Sequence, residues 1–116
     1  WQLYFFEWAF NAPDVGGEAF LTRKYQVIPD DTDIIISHGP PLGYGDQARD
    51  GRTGSTALLE RIKEIKPKLV VCGHIHEDRG RWEIDVGNRA PIIIANVTVL
   101  NRSYQLVHSP MEFEIN

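Results

Sequence analysis

The chain opens on a dense apolar run. Trp1, Tyr4, Phe5, Phe6, Trp8 and Phe10 place six of its twelve aromatic side chains within ten residues. Residues 11–17, with Pro13 and two adjacent glycines, read as a loop. Between Glu18 and Ile28 the residues Phe20, Leu21, Lys24, Tyr25 and Ile28 fall at helical spacing, which predicts a helix. Residues 29–32 make a turn, and the β-branched run 33–37 predicts a short buried strand. From His38 to about Gly54, glycines at 39, 43, 45, 51 and 54 and two prolines predict a long loop without regular structure. Ser55 is an N-cap candidate for a helix reaching about Lys66, with Leu58, Leu59, Ile62 and Ile65 on one face and Pro67 closing it. A second apolar run, 68–72, predicts another buried strand, followed by a loop over 73–80. Strand, loop, helix, strand is a βαβ unit, so the two strands should lie side by side and parallel. The remainder changes character. Residues 81–86 alternate, 91–95 are apolar, and 104–108 and 111–115 alternate again, as in an antiparallel meander.

Composition narrows the classes. A length of 116 residues, 42% hydrophobic and 24% charged, is ordinary for one globular domain and argues against disorder, collagen or a coiled coil. No apolar run approaches the roughly 20 residues that cross a bilayer, so no membrane partner is expected. The net charge of -4 gives no long-range attraction to a nucleic-acid polymer. Any phosphate handled here must have its charge met largely by bound cations. The single cysteine, Cys72, excludes an internal disulfide and a cysteine-rich zinc site. Its apolar surroundings predict a buried packing role, in keeping with a reducing, cytoplasmic setting. Two glycosylation sequons, at Asn96 and Asn101, are read as chance matches. The aromatic start suggests a segment that something else covers, and the chain is expected to be a fragment.

Three of the four histidines hold a telling position. His38 follows the first predicted strand, and His74 and His76 follow the second. Loops beyond the carboxyl ends of parallel strands form the binding crevice of α/β sheets. The two loops come from one βαβ unit, so three imidazoles can converge although more than thirty residues separate the first from the others. A lone histidine is usually a satisfied surface or core residue, and His108, alternating within a predicted strand, is read that way. Imidazoles gathered at a strand end disfavour protonation, and a metal ion is the usual way to satisfy them.

These residues carry a resemblance. The segment Gly73-His74-Ile75-His76 resembles the Gly-His-x-His signature of the calcineurin-like metallophosphoesterases. Ile34 to Pro41, a hydrophobic strand ending in His-Gly-Pro-Pro, resembles the signature before it. The run from His38 to Gly43, the Pro67-Lys68 pair, residues 74–77 and Trp8 to Asn11 are most similar to the brain-type metallophosphoesterase-domain branch and its bacterial relatives. The resemblance implies an α/β fold, the C-terminal half of a two-sheet sandwich with a mixed sheet flanked by helices. It implies that residues 1–116 are the C-terminal part of a single metallophosphoesterase domain. It also implies two divalent metal ions, with His38 and His74 on one and His76 on the other. Imidazole ligands suit Mn, Fe or Zn. Such a centre has its ions about 3.5–4 Å apart and activates a water for in-line attack on a phosphoester. A small phosphodiester, cyclic nucleotides included, is the substrate class implied.

The family's Asp-x-His, Gly-Asp-x-x-Asp and Gly-Asn-His motifs do not occur in the 116 residues. The bridging carboxylate and the remaining ligands are therefore expected from a preceding segment, and the 116 residues alone are expected to be inactive. Gly39, Asp46 and Asn96 are candidates for touching substrate or supporting the ligands. Asp46, Arg49, Asp50 and Arg52 could all touch substrate or outer-shell water, but fit a solvated, internally paired loop better, and Asn96 equally fits a turn. Glu77 reads as a surface or supporting group. Trp1, Tyr4 and Trp8 fit either a base-binding wall or packing against absent chain. Two other readings stay open: a non-catalytic relative, and a metal-binding or interaction module. A closed structural zinc site needs four protein ligands, and three split histidines fit it poorly.

Overall fold

The computed structural model describes residues 1–116. Two helices and six short strands follow one another as α1 (Gly17–Tyr25), β1 (Ile34–Ile36), β2 (Gln47–Ala48), β3 (Gly51–Arg52), α2 (Thr56–Ile65), β4 (Leu69–Cys72), β5 (Gly80–Ile84) and β6 (Ile92–Asn96). The βαβ expectation holds: β1 pairs parallel with β4, Ile35 opposite Val70. The sheet order is β1-β4-β6-β5. Its last strand, β5, runs antiparallel to β6, while β6 runs parallel to β4. The sheet is therefore mixed, as expected. Residues 81–86 and 91–95 do form an antiparallel pair, but the second of them joins the parallel sheet instead of continuing a meander.

Both helices owe their limits to local chemistry. Ser55 caps α2 through its side-chain oxygen, which accepts from the Leu58 amide at 3.2 Å. Lys66 takes a left-handed conformation, φ 54°, and Pro67 bars continuation. Helix α1 stops at Tyr25, three residues short of the predicted end at Ile28. A residue before proline disfavours the helical region, so Pro29 works against a helix through Ile28 and the apolar period outruns α1. Helix α2 carries a second cap that no local pattern reveals. The Glu18 carboxylate, from the first turn of α1, accepts from the Thr56 and Ala57 amides at 2.8 and 3.0 Å and from the Ser55 hydroxyl at 2.9 Å. A carboxylate there meets the positive end of the helix dipole.

The core lies where the helices meet the sheet, with Leu21 and Tyr25 of α1, Leu58 and Ile62 of α2, and Ile35, Val70, Ile92 and Ile94 of the strands. Arg61, buried along its stem, closes the far end through Asp30, Glu64 and the Ile28 carbonyl. The other face of β1 is open, with Ile36 82% exposed. These residues form one four-stranded sheet and one two-stranded ribbon. No second sheet of a sandwich packs across them. Two further differences concern alternation. The 38–54 loop contains the short β2–β3 hairpin, Gln47 opposite Arg52. The alternating segments 104–108 and 111–115 form no strands, and only a Leu100–Leu106 bridge remains. Neither segment pairs with β1 or β5, the two edge strands of the sheet, and alternation alone does not make a strand.

Candidate metal and phosphoester site

The site is built by two loops leaving the carboxyl ends of β1 and β4. Their roots are tied by backbone: the Ser37 amide donates to the Val71 carbonyl at 2.9 Å and the Gly73 amide to the His38 carbonyl at 3.1 Å. That register puts His38 and His74 together, ring centroids 4.9 Å apart. His74 has φ 66°. The Ile75 amide donates to the Gly73 carbonyl at 2.8 Å, closing a three-residue γ-turn with His74 at its centre. A non-glycine residue held there costs about 1–3 kcal/mol, and such strain persists only where the surroundings enforce it.

Aromatic residues from the chain's first ten cover the pair. Phe5 and Trp8 present edges to the His74 ring at 5.4 and 6.2 Å, and Phe10 lies 5.4 Å from His38. Asn11 shapes this segment, its amide donating to the Phe5 and Phe6 carbonyls. Burial lowers the pKa of His38 and, with the nearby His38 and His76, brings His74 down to about 4. Both rings are therefore neutral at pH 7, the state that donates a lone pair to a metal.

His76 stands apart from the pair. Its Nδ1 lies 3.0 Å from the Asn101 carbonyl, and its ring meets Tyr104 edge-on at 5.2 Å. Facing a carbonyl, Nδ1 of the neutral ring carries the proton, and the Nε2 lone pair is left free. The Asn101 turn, in which its side-chain oxygen accepts from the Ser103 and Gln105 amides, fixes that carbonyl. Nothing in the sequence pattern singled out Asn101 or Tyr104 as neighbours of the site. The Asn101 side chain followed by a polar turn was the available signal.

A cavity of about 630 Å³ opens beside these rings. Tyr4, Phe5 and Trp8 form an aromatic side, Arg49 and Arg102 bring cations, and His74 and His76 reach it directly. Of the sequence candidates in the loops, Gly39, Arg49, Asp50 and Glu77 line this space, Glu77 lying 3.3 Å from Arg102. Gly39 is tightly packed, since a Cβ there would sit 2.9 Å from the Gln2 Cβ. Trp1 instead packs edge-on against Phe20.

Asp46 and Asn96 do not line the cavity. Asp46 is fully buried, with one carboxylate oxygen accepting from Arg52 at 2.7 Å and the other from the Gly54 amide at 3.1 Å. It is internally paired, but buried where a solvated loop was considered. Asn96 is also fully buried, at the end of β6, so its sequon is closed to glycosylation. His108 is exposed, outside the strand expected over 104–108, and does not line the cavity. Cys72 is buried, and burial pushes its thiol up to about 12.

The donor set fits a divalent transition metal in chemistry: neutral, partly desolvated imidazoles with at least one ring oriented from behind. It does not close in number. No three His, Cys, Asp or Glu side chains stand grouped around one ion position. The pair His38 and His74 fits part of one ion's coordination shell.

No protein-family model matches the chain. Curated proteins do. Metallophosphoesterase domain-containing protein 1 of Homo sapiens is 36% identical over 118 residues, covering 99% of this chain and 34% of that protein. Two UPF0046 proteins of Caenorhabditis elegans are 36% identical over 95 residues and 35% identical over 117, covering 82% and 99% of the chain. The chain belongs to the metallophosphoesterase-domain family. It spans about a third of the length of the curated relatives it matches. In this metallophosphoesterase-domain chain the two histidine-bearing loops leave the carboxyl ends of adjacent parallel strands. The crevice is where an α/β sheet places a ligand.

Proposed function

We propose that the protein is a metal-dependent phosphoesterase acting on small phosphodiesters, cyclic nucleotides among them. In this reading His38 and His74 share one divalent ion, His76 serves a second, and the other ligands come from chain outside these 116 residues. The observation that carries it is the neutral His38–His74 pair, 4.9 Å apart at adjacent strand ends. The printed name of the human relative points the same way. Two bound divalent ions supply Lewis acidity and a water of lowered pKa. The protein's own residues orient and enclose. Arg49 and Arg102 offer charge to a phosphate, which suits a chain of net charge -4 that is otherwise poor in attraction for anions. Tyr4, Phe5 and Trp8 provide a surface for an apolar or aromatic leaving portion and limit water on that side.

The test is turnover of a chromogenic phosphodiester by the whole protein with Mn²⁺, alongside His74→Ala. Hydrolysis that needs the metal and falls by orders of magnitude in the variant is expected. Equal rates with and without metal, or an unaffected His74→Ala, would remove the reading. One observation favours a second reading, a metal-binding or interaction module without catalysis: the exposed aromatic start offers a contact surface beside the histidines. Tight metal binding by the whole protein with no turnover of any phosphoester would establish that one instead.

A further inference from the structure

Asn96 reaches both histidine loops at once. It ends β6 opposite Cys72, at the level where the chain leaves β4 for the His74 turn. Its amide nitrogen donates to the Ile75 carbonyl at 2.7 Å and to the Gly45 carbonyl at 3.0 Å, while its oxygen accepts from the Thr98 amide at 3.1 Å. Ile75 is the residue between His74 and His76, and Gly45 belongs to the loop that begins at His38. The side chain is 0% exposed, so water cannot replace these bonds.

From these contacts we infer that Asn96 is a positioning residue. Its buried amide pins the strained turn that presents His74 beside His38 and holds the two histidine loops in register. The inference rests on the reading of His38, His74 and His76 as metal ligands. Only a side chain with two N–H donors and an acceptor on one short stem meets all three partners. Aspartate keeps the shape and the Thr98 contact but turns an acceptor toward two carbonyls. Serine is too short to reach Ile75. A longer glutamine has no room, because the space around Gly45 is already closed. A Cβ on Gly45 would sit 2.7 Å from that of Asn96, and φ there is 71°, a conformation suited to glycine. Gly45 is thus the other half of the clamp. A turn at positive φ relaxes when the contact that enforces it goes, and the His74 ring would then leave its partner.

The experiment measures Zn²⁺ affinity of the whole apo protein by competition with a chromophoric chelator, well below the melting temperature. The variants are Asn96→Ser, Asn96→Asp and Gly45→Ala. Ile62→Val, in the core of α2 and remote from both loops, controls for lost stability. Residues that orient metal ligands typically change affinity about 10- to 100-fold. A loss of that size is expected in the three loop variants and not in Ile62→Val. Asn96 and Gly45 variants that bind Zn²⁺ as wild type does would overturn the clamp and leave the ligand assignment standing. His38→Ala and His74→Ala that also bind as wild type would show that the ligand assignment itself fails, and the clamp's purpose with it. Should none of the loop variants fold, hydrogen exchange of the Asn96 side-chain amide in the wild-type apo protein decides. Protection supports the clamp, and exchange at the rate of a free amide overturns it.

Discussion

Several constraints meet at His74: positive φ, aromatic rings set edge to face, a neighbouring imidazole and a pKa brought down to about 4 by burial first. Its spacing to His76 was legible as Gly-His-x-His. Its strain was not, because φ depends on which contacts hold the turn. If His38 and His74 share an ion, either alanine variant should lower occupancy at one site and spare the other. The double variant should then cost less than the sum of the singles. Combining His38→Ala with His76→Ala should empty more metal than either alone, and His108→Ala should leave the content unchanged. Elemental analysis of the whole protein after gel filtration reads all four, and a His108→Ala protein stripped as fully as His74→Ala would sink the assignment. Cys72 gives a second prediction. Buried and with a thiol raised to about 12, it should stay unmodified by a thiol reagent at pH 8 until the chain is unfolded in denaturant. Fast native labelling would show that β4 opens readily.

Elements with a strong local signal formed where the pattern put them. Helix α2 runs from Thr56 to Ile65 between the Ser55 cap and Pro67, and β1 and β4 pair as the βαβ order requires. What escaped notice is the Glu18 carboxylate at the start of α2, a contact thirty-eight residues away in sequence at Thr56. Ser55→Ala should lower stability by about 1 kcal/mol. Glu18→Gln should also destabilise. The pair should be less than additive, since the two side chains bond each other at 2.9 Å. Urea denaturation of the two singles and the double measures the coupling, and strict additivity would mean that the caps act separately. The predicted strands at 104–108 and 111–115 mark the opposite case. Leu106 is left 74% exposed, paired only through its bridge to Leu100, because periodicity specifies a face and not a partner strand.

At the scale of the whole molecule, the aromatic start and the open face of β1 leave Trp8, Phe6, Phe10 and Ile36 largely exposed. Exposed apolar surface of this kind marks a contact surface or an aggregation liability. The purified 116-residue chain should therefore bind a hydrophobic dye such as ANS and associate at high concentration. It should also fail to turn over a chromogenic phosphodiester with Mn²⁺, since it groups no three metal donors. Robust turnover by this chain alone would show that the histidines are not part of a larger ligand set. No helix is long and apolar enough to cross a membrane. The sequence by itself determined the βαβ unit, the Ser55 cap and Pro67 stop of α2, the buried thiol and the three histidines at strand ends. Each of these is assembled from short segments in which backbone preference and periodicity act directly, joined by chain order alone. Only the tertiary structure decided which groups from distant segments meet. It buried Asp46 completely, seated the aromatic start on His38 and His74, and left His76 to Asn101. It also set Asn96 across both loops. Those contacts are fixed by sheet order and burial, which a single strand's pattern does not encode.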